Sequence, residues 1–148
     1  MYKIGVYAAA LAWLLCGVSV LCACTGKAPV DKDLEVFWQQ EHVADEATGQ
    51  QTECNRIYWS VQLGLVEFND YGGNDYPSLL CQYEYDKSAR TLHLHQFRLR
   101  SNQMSEPTLQ ALAGYGITAL DVVYEVVTLD KDVMVLRGGG KTLYFRSF

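Results

Sequence analysis

Residues 55–68 (NRIYWSVQLGLVEF) alternate between apolar and polar side chains, and no other feature constrains the fold as much. Ile57, Trp59, Val61, Leu63 and Leu65 fall on one side, while Arg56, Tyr58, Ser60 and Gln62 fall on the other. A side-chain period of two belongs to an extended strand, whose successive residues point to opposite faces. The stretch therefore predicts a half-buried sheet. It is long for one straight strand, and Gly64 marks a bend or bulge within it.

The rest of the chain repeats this theme in shorter pieces. Residues 34–43, with Phe37-Trp38, predict a first strand, and the polar run 44–53 with Thr48-Gly49 predicts a turn. Residues 69–77 read as a loop. Strands are expected at 79–85 and 91–99 around the turn 86–89, at 122–128, at 133–136, and at 142–148 beyond Gly138-Gly139-Gly140. One short helix is expected within about 105–115, with Ser105 as N-cap, Pro107 in its first turn and a stop at Gly114 or Gly116. Seven or eight short strands with one helix define an all-β antiparallel barrel or sandwich; a βαβ fold would need several helices.

Trp38 at the head of the first strand, the run Ile57 to Leu65, and the closing segments Gly116-Ile117, Tyr124-Glu125-Val126, Met134-Val135-Leu136 and Leu143 to Phe148 together resemble the small lipocalin-like domains on lipoproteins of Gram-negative gut bacteria. The resemblance covers most of residues 34–148 and implies a calycin-type up-and-down barrel. The Gly-x-Trp opening of many lipocalins is replaced by Val36-Phe37-Trp38.

Residues 1–23 have the layout of a secretory signal, with Lys3, a long apolar stretch and small residues at its end. Leu21-Cys22-Ala23-Cys24 resembles the lipobox of bacterial lipoproteins, with a small residue directly before the cysteine. Cys16 and Cys22 each follow a leucine, so only Cys24 has an acceptable residue at the cut. The expected organisation is a signal peptide over 1–23, a polar lipidated tether over 24–33 and a barrel over 34–148. Thr25 is not the Asp that marks inner-membrane retention, which points to the outer membrane.

Cleavage there would leave 125 residues (148 − 23), enough for one domain, with 11 basic and 17 acidic side chains. The chain has no basic stripe, which argues against nucleic acid. Cys54 and Cys81 would be the only cysteines left, and an exported pair invites a disulfide worth roughly 3–4 kcal/mol. Strand register argues for caution, since a bond would require the long strand to break sharply at Gly64. With Cys81 opposite residue 65, Cys54 would lie roughly 35 Å further along the strand.

Candidate chemistry is sparse. Gly138-Gly139-Gly140-Lys141-Thr142 lacks the earlier glycine and following helix of a phosphate loop, so it reads as a hairpin turn. His93 and His95 share a strand face, but a metal site needs a third or fourth ligand, and no Asp or Glu stands at motif spacing. His42 is the only other histidine. No metal, cofactor or catalytic group is therefore assigned. Trp38, Trp59, Tyr83, Val126, Leu136 and Phe145 are the candidates to line a ligand site inside the barrel, and Tyr58, Tyr83 and Tyr85 to form an outer aromatic platform. The leading expectation is a lipid-anchored module binding a small, mostly apolar molecule in a cavity of at least ~300 Å³. The alternative is a structural lipoprotein of an outer-membrane assembly, with a filled barrel and an exposed aromatic patch.

Overall fold

The alternating stretch is two strands. In the computed structural model, which describes residues 31–148, β1 is Phe37–Asp45, and β2 (Gln51–Gln62) and β3 (Leu65–Asp70) form a hairpin about Leu63-Gly64. Both turn residues have positive φ, 52° and 79°, the signature of a type I′ turn, whose twist matches that of its flanking strands. Directly opposed residues share a face. Val61 therefore brings Val66 inward and Trp59 brings Phe68 inward, so the inward set changes from odd to even numbers. Leu63 and Leu65, expected to continue the apolar face, are instead 79% and 45% exposed.

Six further elements follow: β4 (Leu79–Asp86), β5 (Thr91–Leu99), a short helix α1 (Leu109–Ala113), β6 (Val122–Leu129), β7 (Val133–Gly138) and β8 (Lys141–Ser147). Each strand pairs antiparallel with the next, and β8 returns to β1, closing an eight-stranded up-and-down barrel. Gly139-Gly140 is the tight turn between β7 and β8, as expected. Among the described residues no helix is long and apolar enough to cross a membrane. The expected signal peptide and Cys24 lie outside the described residues.

The second strand starts at Gln51, inside the run expected to be a turn, and two other boundaries differ from expectation for local reasons. The first strand begins at Phe37 rather than residue 34, because the Asp31 carboxylate accepts the N–H groups of Asp33 and Leu34 and coils the chain into a turn. The helix begins after Thr108, whose hydroxyl accepts the Ala111 N–H. Ser105 belongs to an earlier turn: its carbonyl accepts the Leu99 N–H at the end of β5.

Inward side chains from all eight strands form one core, dominated by Trp38, Trp59, Phe68, Phe97, Tyr124 and Phe145. Trp59 meets Phe68 and Phe145 edge to face, with ring centroids 4.7 Å apart in both cases. In β5 the register slips where Gln96 takes a φ of 54°, so Leu92 and Leu94 point inward before the slip and Phe97 after it. His93 and His95 therefore stand on the outer wall.

Cys54 and Cys81 are free thiols. Cys81 opposes Val66, which in turn opposes Val61, so Cys54 lies seven positions (61 − 54) along β2. That is roughly 20 Å at strand rise, beyond disulfide reach. The candidate bond is corrected to two unbonded residues.

Leu63 holds a left-handed backbone with its side chain in water, a conformation that costs a bulky residue about 1–2 kcal/mol. Leu63→Asn, which tolerates that conformation, should stabilise the fold by about 1 kcal/mol. A higher urea midpoint with an unchanged m-value would be the signature, and an unmoved midpoint would count against the turn assignment.

Candidate functional site

The two ends of the barrel are closed differently. At one end, the base, the chain enters through residues 31–36, and Leu34 plugs the opening with its carbonyl accepting the Trp38 indole N–H at 3.0 Å. At the other end, the mouth, the β1–β2 turn, loop 71–78 and the connection 100–121 come together. Residues 108–117 cross the mouth as a cover, with Leu112, Tyr115 and Ile117 fully buried beneath it.

One side chain fastens the cover to the core. Gln40 of β1 is 0% exposed, and its Nε2 donates to the Tyr115 carbonyl at 3.1 Å. Its Oε1 accepts the Trp59 indole N–H at 3.2 Å. This chain satisfies three buried polar groups that would each cost free energy if left alone. Gly116, with φ 74°, lies directly above it; a Cβ there would stand 2.9 Å from Leu143 and Val43 and 3.4 Å from the Gln40 amide. Only glycine lets the cover sit this low.

The cover meets loop 71–78 through tyrosines. Tyr115 donates its hydroxyl to the Pro77 carbonyl at 2.9 Å, and its ring lies 5.9 Å from that of Tyr76. Burial pushes the Tyr115 phenol well above its usual range, so it remains a donor. Tyr76 is placed by Asp70, whose carboxylate accepts the backbone N–H groups of Gly72, Asn74 and Tyr76 as well as the Asn74 amide. Burial opposes ionisation of Asp70, but these bonds together hold its carboxyl below the usual range.

Between the cover, Tyr76 and the adjoining edges of β1 and β2 lies a cleft of about 220 Å³. Val43, Cys54, Ile57, Tyr76, Gly116 and Lys141 are among its walls, and one of them, Ile57, belongs to the buried core. Its rim carries a tight ion pair, Lys141 to Asp45 at 2.7 Å. The hydrogen bond from Lys141, supported by the Thr48 N–H, brings the Asp45 carboxyl down to about 2. Burial, reinforced by the charge of Glu53, pushes the Cys54 thiol up to about 11, so it faces the cleft as a neutral, weakly nucleophilic group.

The sequence-derived ligand residues are placed differently. Trp38, Trp59, Val126, Leu136 and Phe145 are 0–1% exposed and pack on one another and their neighbours; they form the core and do not line the mouth cleft. Tyr83 is half-buried at the base, beside a separate depression of about 310 Å³, where its hydroxyl donates to Glu35 at 2.9 Å. Burial, with Glu35 adding to it, raises the Tyr83 phenol to about 12. The expected platform also divides. Tyr83 and Tyr85 pack toward the core, whereas Tyr58 faces out beneath Phe37, Tyr71 and Phe148. The mouth residues carry no sequence motif. Gly116 after a short helix was their only legible signal.

A closed antiparallel eight-stranded barrel with a plugged base and a covered mouth defines the class of lipocalin-type barrels. The chain belongs to the lipocalin-like domain family, whose sequence profile matches residues 19–148. Proteins of this family are typically non-enzymatic binders. In structure it is similar to a lipocalin-like protein from Bacteroides uniformis, with a TM-score of 0.59 and 16% identity over 78% of this chain and 99% of that one. It is also similar to an uncharacterized protein from Bacteroides eggerthii, with a TM-score of 0.56 and 16% identity over 78% and 100% of the two chains. No curated protein matches it.

Gln40→Leu would leave the Trp59 N–H and the Tyr115 carbonyl unpaired inside the barrel. It should lower stability by about 2–4 kcal/mol and raise amide exchange across 108–117 more than in the strands. Exchange that rises evenly throughout would show that Gln40 does not fasten the cover.

Proposed function

We propose that this protein is a lipid-anchored binding module of the outer membrane that takes a small, mostly apolar molecule at the barrel mouth. The observation that carries the reading is the cleft beneath Gly116, where Val43, Ile57 and Tyr76 stand among the polar Thr52, Glu53, Asn55 and Asn74 at the edge of the core. Its volume is below the roughly 300–1,000 Å³ of sites for drug-sized ligands. A ligand of modest size, or one that lifts the cover, suits it better than one enclosed in the barrel. The polar rim of Asn74 and Lys141 would receive the wetter end of such a molecule.

Thr52 lines the cleft and is exposed, so Thr52→Phe would fill the site without disturbing the core. Native mass spectrometry of the full chain, incubated with medium-chain fatty acids, should show a 1:1 adduct that Thr52→Phe weakens about tenfold, roughly 1.4 kcal/mol. Equal adduct formation by the variant would refute binding at the mouth.

The anchor rests on the Leu21-Cys22-Ala23-Cys24 pattern. Radiolabelled palmitate should enter the protein in its host and be absent from Cys24→Ser, and labelling that survives the substitution would sink the assignment. Since the described chain enters the barrel at the base, the mouth would face away from the membrane.

A second reading, an accessory subunit of an envelope assembly, is favoured by the outer-wall cluster of Phe37, Tyr58, Tyr71 and Phe148. Within it Tyr71 is 53% and Phe148 76% exposed. Photo-crosslinking from position 71 to another envelope protein would select this reading over ligand binding at the mouth.

A further inference from the structure

The outer wall brings together what the linear spacing kept apart. His93 and His95 project from β5, and in the neighbouring strand β4 Glu84 pairs directly with His93. The Glu84 carboxylate lies 3.8 Å from His93 Nδ1 and 3.7 Å from His95 Nε2. One ligand atom from each of the three residues falls within 4.8 Å of the others. A sequence search for metal spacing misses such a set because its third member comes from sheet register.

The second ring nitrogen of His93 is already committed. Its Nε2 is 2.8 Å from Asp121 Oδ1, just ahead of β6. An Nε2–H donated to that carboxylate leaves the lone pair on Nδ1, which faces Glu84. This is how metal-bound histidines are ordinarily held, with one nitrogen to the ion and the other N–H to a carboxylate. His95 provides an independent sign. Its Nε2 is buried and has no hydrogen-bond partner among the described residues, although buried polar atoms are nearly always paired. The atom is directed toward Glu84 at a distance too long for a hydrogen bond and close to that between two ligands of one ion.

We propose that Glu84, His93 and His95 form a binding site for a divalent transition-metal ion, zinc in the first instance, with Asp121 positioning His93. Two imidazoles and one carboxylate suit zinc, and also copper or nickel, whereas magnesium and calcium prefer all-oxygen cages. Zinc–nitrogen bonds of 2.0–2.1 Å place tetrahedral ligands about 3.3 Å apart. Glu84, whose side chain is 74% exposed, is free to move onto the ion, and the two imidazoles, whose ligand atoms lie within 4.8 Å, would close on it by side-chain rotation. Water would take the fourth position. The ion would tie β4 to β5, on a wall separate from the mouth, so the proposal does not depend on the mouth reading.

The rival is an ordinary cluster of solvated histidines and carboxylates, and metal titration separates the two. The tag-free full chain is titrated with zinc sulfate near neutral pH against a chromophoric chelator. One equivalent should bind in the micromolar range or tighter, and the unfolding temperature should rise with zinc. His93→Ala and His95→Ala should each abolish that equivalent and the temperature rise. Glu84→Gln should weaken binding about tenfold or more, and Asp121→Asn, through the outer contact alone, about tenfold. His42→Ala, which removes a histidine stacked on Tyr144 elsewhere on the wall, should change nothing. Metal-free unfolding of each variant checks that the fold is intact. Affinity no tighter than about 1 mM, or zinc binding unchanged in His95→Ala, would overturn the site.

Discussion

Closure of the sheet is the constraint from which the remaining features follow. Eight strands enclose a space about wide enough for side chains to fill or for one small ligand. Here two indoles, several phenyl rings and Tyr124 occupy it, with Trp59 wedged edge-on between Phe68 and Phe145. Burying rings of this size supplies much of the favourable free energy of folding. It also leaves the ends and the outer wall as the surfaces open to another molecule, since the middle of the barrel is occupied by its own residues.

The ends are specified by few residues. At the base, a turn set by one aspartate seats Leu34 under Trp38. At the mouth, a five-residue helix is too short to be stable alone and is held by what it covers. Its position depends on Gln40, on Tyr115 reaching Pro77, and on a glycine that permits close approach.

Much of the fold was legible because strand periodicity survives in short windows: the strand at 91–99 and the hairpin about Gly139-Gly140 lie where alternation and glycines put them. The stretch 55–68 misled because apolar residues at 63 and 65 continue the alternation through a turn that breaks it. Leucine is an unusual occupant of a left-handed turn position, and no local rule expects it there. Periodicity also identified Trp38, Trp59 and Phe145 as inward residues. It could not distinguish a packed interior from a ligand-lined one, since both select large apolar side chains. The Gln40 relay and the Glu84–His93–His95 cluster were illegible for another reason: each depends on residues brought together by tertiary pairing, across 75 positions in the case of Gln40 and Tyr115.

The buried amide of Gln40 has a consequence for what can pass the mouth. Lifting residues 108–117 would remove the Tyr115 carbonyl from the Gln40 Nε2 and expose the amide to whatever arrives. A pure hydrocarbon would leave that N–H facing grease. A molecule ending in a carbonyl or carboxylate would substitute for the departing backbone oxygen and leave the Trp59 contact undisturbed. If the mouth binds as proposed, residues 108–117 would act as a resident competitor, and an entrant resembling the piece of main chain it displaces would be preferred.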